Sequence, residues 1–229
     1  MKAILLLSGG LDSFTTGGIA REQGFELYGL TVRYGQRHHV ELEAARKVGL
    51  TLGVVRHLEV AVDLAALGGS VLTGEGRITT GWRVGDATIP ETYVPARNTV
   101  FLSLALGWAE VVGATDLFIG ANAVDYSGYP DCRPAYLEAF ERLAKLATRA
   151  GVEGASYLVH APLLHVSKAD IIRRGLALKL DYGLTWSCYD PGPDRVPCGR
   201  CDSCRIRAGG FREVGVGDPL LADPDPTRP

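Results

Sequence analysis

Near its N-terminus the chain passes from an apolar segment directly into a short loop of glycine, serine and aspartate. Residues 3–7 are all apolar and predict a buried strand, and residues 11–23 can continue as a helix. Gly9 and Gly10 allow the main chain of the intervening loop to approach a ligand closely. The start of the helix then offers unpaired N–H groups and the positive end of its dipole. This order of strand, glycine-rich loop and helix predicts an anion-binding site, although the loop matches neither the Walker nor the dinucleotide-binding pattern.

Strands and helices alternate along most of the remaining chain, as judged from apolar runs and from apolar residues at helical spacing. The predicted strands are residues 3–7, 27–32, 54–60, 117–121 and 157–163, and the predicted helices are residues 11–23, 40–52, 99–112, 134–150 and 168–179. This alternation is typical of an α/β fold with a doubly wound parallel sheet. The glycine-punctuated residues 68–92 break the alternation and predict a long loop over the strand ends, either a binding lid or filler.

Charge and hydropathy give no sign of a nucleic-acid or membrane partner. The formal net charge is −2 over 229 residues, so no broad attraction to anionic partners is expected. The apolar run at the N-terminus is too short for a signal peptide, and no apolar stretch approaches the roughly 18 residues of a membrane span. We therefore expect a cytoplasmic protein that contacts neither nucleic acid nor membrane.

The length suits one main domain with an appendage. We place the main domain at residues 1–182, a cysteine-bearing segment at residues 183–210, and a flexible tail rich in aspartate and proline at residues 217–229.

Four of the five cysteines lie close together near the C-terminus. They are Cys188, Cys198, Cys201 and Cys204. Two residues separate each of the last three, a spacing that predicts a tetrahedral zinc site with a structural role, because four thiolates leave no open position. An iron–sulfur cluster and free thiols are the alternatives. The fifth cysteine, Cys132, precedes Arg133 and is either a nucleophile with a lowered pKa or a small buried residue.

The loop sequence Ser-Gly-Gly-Leu-Asp-Ser at residues 8–13 resembles the signature of the ATP pyrophosphatase (PP-loop) family. The resemblance implies an adenine nucleotide alpha-hydrolase-like fold, in which the loop holds the pyrophosphate end of ATP while an acceptor oxygen attacks the α-phosphate. The ATP-binding residues that it implies are Leu7, Ser8, Gly9, Gly10, Leu11, Asp12 and Ser13. Because Asp12 would repel phosphate directly, we expect it to cap the helix or to hold Mg²⁺ with the phosphates.

Further stretches narrow the resemblance to the 7-cyano-7-deazaguanine synthase family. They are Tyr34-Gly35-Gln36-Arg37-His38, Val94-Pro95-Ala96-Arg97-Asn98, residues 127–133, Ser167-Lys168 and the C-terminal cysteines. The resemblance extends from Leu7 to about Arg207. It implies ATP-dependent conversion of 7-carboxy-7-deazaguanine and ammonia to the nitrile, in queuosine biosynthesis, together with structural zinc and commonly a homodimer. Tyr126 stands where phenylalanine is commoner in that family.

The chemistry of a carboxylate substrate suggests roles for individual residues. A guanidinium pairs a carboxylate or a phosphate bidentately, a lysine can reach phosphate oxygens, and aromatic rings can stack on a purine-like ring. An aspartate can accept hydrogen bonds from the guanine-like edge. The predicted catalytic residues are Asp12, Ser13, Arg97, Arg133 and Lys168, and the predicted substrate-binding residues are Arg97, Tyr126, Tyr129, Asp131 and Arg133.

Two other functions remain open at the level of sequence. One is a tRNA-modifying or sulfur-transferring ATP pyrophosphatase, in which Cys132 or a cysteine pair would carry sulfur; the net charge and the lack of a basic arm count against it. The other is a zinc-bearing nucleotide-binding module without catalytic activity. The complete loop counts against that function, because a simple binder does not need arginines and a lysine at the same edge of the sheet.

Overall fold

The computed structural model describes residues 1–37, 39–74, 89–123, 128–192 and 194–221. Five strands form one sheet in which every pair of neighbours is parallel, in the order β3-β2-β1-β4-β5. The strands are β1 Lys2–Leu6, β2 Glu26–Arg33, β3 Arg56–Ala61, β4 Asp116–Phe118 and β5 Leu158–His160. The predicted doubly wound α/β fold is confirmed.

The described α-helices alternate with the strands. They are α1 Leu11–Glu22, α2 Val40–Leu52, α3 Arg97–Val112, α4 Pro134–Ala147, α5 Arg149–Val152, α6 Lys168–Ala177 and α7 Asp202–Val214. Short 3₁₀ turns lie at Ala65–Leu67, Pro130–Cys132 and Tyr182–Leu184. In the described part of the chain, no helix has both the length and the apolar character that crossing a membrane requires.

Each face of the sheet buries a separate apolar core because side chains alternate along β1. Ile4 and Leu6 point to the core that includes α3 and α4. Leu5 and Leu7 point to the core that includes α1, α2 and α6. Both faces are therefore covered by helices, which explains why the strands read as continuous apolar runs.

β4 and β5 each end three residues earlier than the sequence predicts. β4 ends at Phe118 because Gly120 brings the chain across the start of α1: a Cβ there would lie 2.9 Å from the main-chain N of Ser13. β5 ends at His160, shortly before Pro162, which has no N–H to donate to a ladder.

The predicted helix at residues 134–150 is two helices. Thr148 has an extended backbone with φ −120° and ψ 151°, and its side chain accepts a hydrogen bond from the N–H of Gly151. A helix therefore begins anew at Arg149, because this threonine acts as its N-cap.

Helix α7 of the C-terminal segment packs against the apolar core on one face of the main sheet. Phe211 of α7 lies in the same core as Phe14 and Ile171. Asp218 was predicted to lie in a flexible tail, but its carboxylate accepts hydrogen bonds of 2.8 and 2.9 Å from the Arg207 guanidinium, and both side chains are buried. Residues 222–229 of that predicted tail lie outside the described residues.

Arg207→Met should lower the free energy of unfolding by about 3–5 kcal/mol, because it leaves the Asp218 charge buried without its partner. Arg207 also donates to Thr185 Oγ1 at 2.7 Å and to the main-chain O of Tyr182 at 3.0 Å, so these acceptors lose a partner too. Urea unfolding followed by circular dichroism measures the loss. Arg205→Met is the matched control, since Arg205 is exposed on the same helix. Equal midpoints for the two variants would contradict the assignment.

Candidate active site

A cavity of about 280 Å³ opens at the carboxyl edge of the sheet. Its walls come from the ends of β1 and β2 and from the residues that follow β4, so it lies where the chain order reverses between β1 and β4. Ligands of open α/β sheets bind at such a position.

The loop of residues 8–13 forms the floor of the cavity. Ser13 Oγ donates to the main-chain O of Gly10 at 3.0 Å and accepts from Ser8 Oγ at 3.1 Å, which fixes the curvature of the loop. Gly9 has φ +79°, and a Cβ there would lie 2.5 Å from the main-chain N of Ala45, so only glycine fits against α2. Gly10 is the N-cap of α1 and provides no side-chain cap, which leaves the first N–H groups of the helix to a ligand.

Asp12 does not cap α1, contrary to one of the two predicted roles. Both of its carboxylate oxygens accept hydrogen bonds of 2.7 Å from Lys168 Nζ, and Oδ2 also accepts from Asn122 Nδ2 at 3.1 Å. This ion pair joins the first turns of α1 and α6 across the cavity. Ser167 Oγ accepts from the N–H of Asp170 at 3.1 Å, which confirms the predicted cap. The cap fixes the start of α6 and therefore the position of Lys168, the first residue of that helix.

Arg97 lies in the opposite, aromatic wall of the cavity. Its guanidinium carbon is 5.8 Å from the centre of the Tyr34 ring and 6.0 Å from that of Phe101. Burial alone would lower the pKa of Arg97, but the surrounding tyrosine hydroxyls and the Cys132 thiol raise it, so the side chain stays charged. A permanent cation beside aromatic rings suits an anionic, planar ligand.

Glu41 lines the same wall, although the sequence analysis did not select it. Burial raises the pKa of Glu41 to about 7, despite the opposing effect of the Arg97 charge. Burial also raises the pKa of Tyr34 to about 12, with Glu41 adding to the shift. The only sequence signal for Glu41 was its place one turn after the polar loop that follows β2.

The predicted substrate residues around position 130 divide between the cavity and its surroundings. Tyr129 and Cys132 line the cavity. Asp131 does not line this cavity: it is buried, and its carboxylate accepts from the N–H of Asn98 at 2.9 Å, at the start of α3. Arg133 is exposed at the N-cap of α4, outside the cavity lining. One turn of 3₁₀ helix points these neighbouring side chains in different directions, which the sequence could not reveal.

Cys132 is buried, and its Sγ lies 3.1 Å from Asn98 Nδ2, which donates to it. Tyr126 lies outside the described residues, as do residues 75–88 of the predicted loop. The described flanks of that loop contribute Leu72, Pro90 and Thr92 to the cavity wall.

The four C-terminal cysteines converge as predicted. One sulfur from each of Cys188, Cys198, Cys201 and Cys204 lies within 4.8 Å of the others. Tetrahedral zinc at a Zn–S distance of about 2.3 Å requires sulfurs about 3.8 Å apart, so small shifts would complete the shell. Hydrogen bonds from the thiols of Cys188 and Cys204 lower the pKa of Cys201, which favours the thiolate that a metal binds. The residues present can hold a metal ion.

Trp186 connects the cysteine cluster to the loop of residues 8–13. The main-chain N–H of Trp186 donates to the main-chain O of Gly9 at 2.9 Å. Its indole N–H donates to the main-chain O of Cys188 at 3.0 Å, and its ring packs against the cysteines. The sequence analysis missed Trp186, and its position two residues before Cys188 was the available signal.

Comparison with models of protein families identifies the family of this chain. The model of the family described as "Queuosine biosynthesis protein QueC" matches residues 2–215. The chain belongs to the QueC family. The chain is 57% identical over 231 residues to the 7-cyano-7-deazaguanine synthase of Syntrophus aciditrophicus, covering 97% of each chain. It is 60% identical over 220 residues to that of Geobacter sulfurreducens, covering 96% of this chain and 92% of the relative. The family predicted from the sequence is confirmed.

Solved structures support the same fold at greater distance from this QueC protein. NMN synthetase from Francisella tularensis aligns with a TM-score of 0.50 at 16% identity, over 94% of this chain and 77% of that one. A predicted subunit of a tRNA methyltransferase from Methanocaldococcus jannaschii aligns equally well, over 99% and 94%. At this identity the likeness shows the fold alone.

Proposed function

We propose that the chain is a 7-cyano-7-deazaguanine synthase that converts 7-carboxy-7-deazaguanine, ammonia and ATP to the nitrile, with release of AMP and pyrophosphate, in queuosine biosynthesis. The observation that carries the proposal is a cavity with two unlike walls. One wall is the anion-binding loop with Lys168, and the other is aromatic with Arg97. Nearly full-length likeness to relatives of that name supports it.

The phosphates of ATP bind at the loop of residues 8–13. Several groups stabilise the negative charge that develops on the departing pyrophosphate. They are the N–H groups at the start of α1, the hydroxyls of Ser8 and Ser13, and the Lys168 ammonium. Mg²⁺ accompanies the phosphates, and Asp12 is the carboxylate at this wall that can bind it.

The carboxylate of the substrate is a poor electrophile and must be activated. Its oxygen attacks the α-phosphate of ATP, the bond to pyrophosphate breaks, and an acyl adenylate forms. Ammonia then adds to the carbonyl carbon, loses a proton and displaces AMP, giving the amide. Arg97 pairs with the substrate carboxylate before transfer, since a guanidinium binds two oxygens at once.

The amide passes through the same cavity a second time. Its oxygen attacks the α-phosphate of a second ATP and the nitrogen loses one proton, which gives an O-adenylyl imidate and pyrophosphate. Loss of the second N–H proton expels AMP and leaves the nitrile. The same loop and Lys168 stabilise the negative charge on pyrophosphate in both adenylation steps, so one site serves both.

Asp131 takes a supporting role in this proposal, and Arg133 takes none. Asp131 accepts from the N–H of Asn98 and so fixes the start of the helix that carries Arg97. Arg133, at the start of α4, has no part in the proposed chemistry because it lies outside the cavity lining.

The metal at the four cysteines is zinc with a structural role, since four sulfur ligands leave no open position for a substrate. When bound, it stabilises the segment between Cys188 and Cys204. The chain acts as a cytoplasmic homodimer without nucleic acid. Val111, Leu146 and Val152 support the dimer: they are 74–80% exposed on α3, α4 and α5, and an apolar surface of this kind favours a second copy. A mass of one chain by static light scattering would contradict the dimer.

Incubation of the protein with ATP, Mg²⁺, ammonium and 7-carboxy-7-deazaguanine tests the proposed function. AMP, pyrophosphate and a product with the mass of the nitrile should appear together, and omission of the deazaguanine should stop all three. Unmodified tRNA in place of the deazaguanine is the control for the sulfur-transferring alternative. AMP formation that depends on tRNA and not on the deazaguanine would contradict the proposal.

A further inference from the structure

Glu41 presents an acidic group to the aromatic part of the cavity, in the first turn of α2. Resting on the proposed function, we infer that its carboxylate recognises the donor edge of the deazaguanine ring, which consists of the ring N–H and the exocyclic amino group. This makes Glu41 a specificity-determining residue that contacts the substrate.

Within the described part of the chain, Glu41 lacks a hydrogen-bonding partner. Its carboxylate makes no hydrogen bond or ion pair there, and Arg97 acts on it only through its charge. Asp12, a second carboxylate of the cavity lining, already accepts from Lys168 and Asn122. A partly buried carboxylate without donors is costly, so a ligand that supplies N–H groups gains by pairing with it.

The shape and chemistry of the surroundings also support this role for Glu41. Tyr34, Phe101 and Tyr129 provide flat apolar faces, which suit a fused heteroaromatic ring. A ring stacked there still needs an acceptor for its N–H groups. Gln36 Oε1 is already engaged with the N–H of Tyr34 at 2.8 Å, whereas the Glu41 carboxylate is an anionic acceptor at this wall.

The neighbouring charge of Arg97 supports the same role. The deazaguanine ring carries its oxygen beside the 7-carboxylate, and its donor edge follows directly on the other side of that oxygen. A guanidinium next to a carboxylate therefore matches the order of acceptors and donors around the ring. Pairing with N–H donors favours the charged form of Glu41, and thus opposes the burial that raises the pKa of the free side chain to about 7.

The test compares two substrates with the wild-type protein and with Glu41→Gln. One substrate is 7-carboxy-7-deazaguanine, and the other is its analogue without the exocyclic amino group, a 7-carboxy-7-deazahypoxanthine. In the wild type, kcat/KM for AMP formation should fall by about 10- to 100-fold on loss of the amino group, because a hydrogen bond to a charged acceptor is lost. In Glu41→Gln the activity on the parent substrate should fall by a similar factor, and the preference for the amino group should shrink to about threefold or less.

Glu43→Gln is the matched control, since Glu43 lies two residues further along α2, where its side chain is 45% exposed and pairs with Arg195. This control should keep both activities and the full preference. Isothermal titration of each compound without ATP should show the same preference in binding. This measurement is independent of the chemical step, because no adenylation takes place without ATP.

Two outcomes would overturn the inference. Equal kcat/KM values of the wild type for the two compounds would overturn the inference even before a variant is measured. A Glu41→Gln protein that keeps the full preference while losing kcat equally on both compounds would instead make Glu41 an acid or base of the reaction. If the wild type does not turn over 7-carboxy-7-deazaguanine at all, the proposed function itself has failed, and the titration alone then decides whether the ring binds through Glu41.

Discussion

Lys168→Gln should lower kcat for AMP formation by about 10²- to 10³-fold, the usual cost of removing one group that stabilises the negative charge developing in a transition state. The wild-type ammonium lies 2.7 Å from both oxygens of Asp12 and lines the cavity beside the loop of residues 8–13. Glutamine retains much of the length but not the charge, so phosphate oxygens and Asp12 would both lose their cation. The measurement is steady-state AMP release at saturating ATP.

The loss should come with little change in the fold, since the side chain of Lys168 is part exposed and its carboxylate partner stays hydrated. Lys47→Gln on the exposed surface of α2 is the control and should keep wild-type rates. If Lys168→Gln raises only KM for ATP while kcat stays normal, the lysine binds the ground state and takes no part in transfer.

Cys201→Ser should cost the protein its bound metal and several kcal/mol of stability, because apparent binding free energies of structural zinc are about 10–16 kcal/mol. Cys201 is 1% exposed and is the N-cap residue of α7, so its loss affects both the metal shell and the start of that helix. A zinc-specific dye released on denaturation gives the metal content, and thermal unfolding gives the stability.

Cys132→Ser separates this effect from the loss of any buried thiol. Cys132 is about as well buried as Cys201 but lies outside the cluster, so this variant should retain one zinc per chain. Normal metal content in purified Cys201→Ser would show that the cluster does not hold the ion through this residue.

Local signals in the sequence predicted the parts of the site that neighbouring residues determine. The strand, loop and helix at residues 3–23 and the cap at Ser167 each depend on contacts within a few residues. The metal cluster was predictable for the same reason, because spacing along the chain brings Cys198, Cys201 and Cys204 together.

Contacts between distant segments, and the direction of side chains in irregular loops, could not be predicted. Asp12 meets Lys168 across 156 residues, and no local pattern shows that pairing. Asp131 and Arg133 sit next to cavity residues in the chain yet lie away from the cavity lining, because a 3₁₀ turn separates their directions. Glu41 was missed because a glutamate in the first turn of a helix is common for electrostatic reasons alone.

Under the proposed function, the hydrogen bond from the Trp186 N–H to the Gly9 carbonyl links metal occupancy to nucleotide affinity. A metal that orders the segment around Cys188 also fixes the main chain behind the phosphate-binding loop, so it reduces the ordering that ATP must induce on binding. By thermodynamic linkage, ATP must then tighten metal retention by the same factor. We therefore expect that removal of the metal by a chelator weakens ATP binding, and that bound ATP slows the removal of the metal.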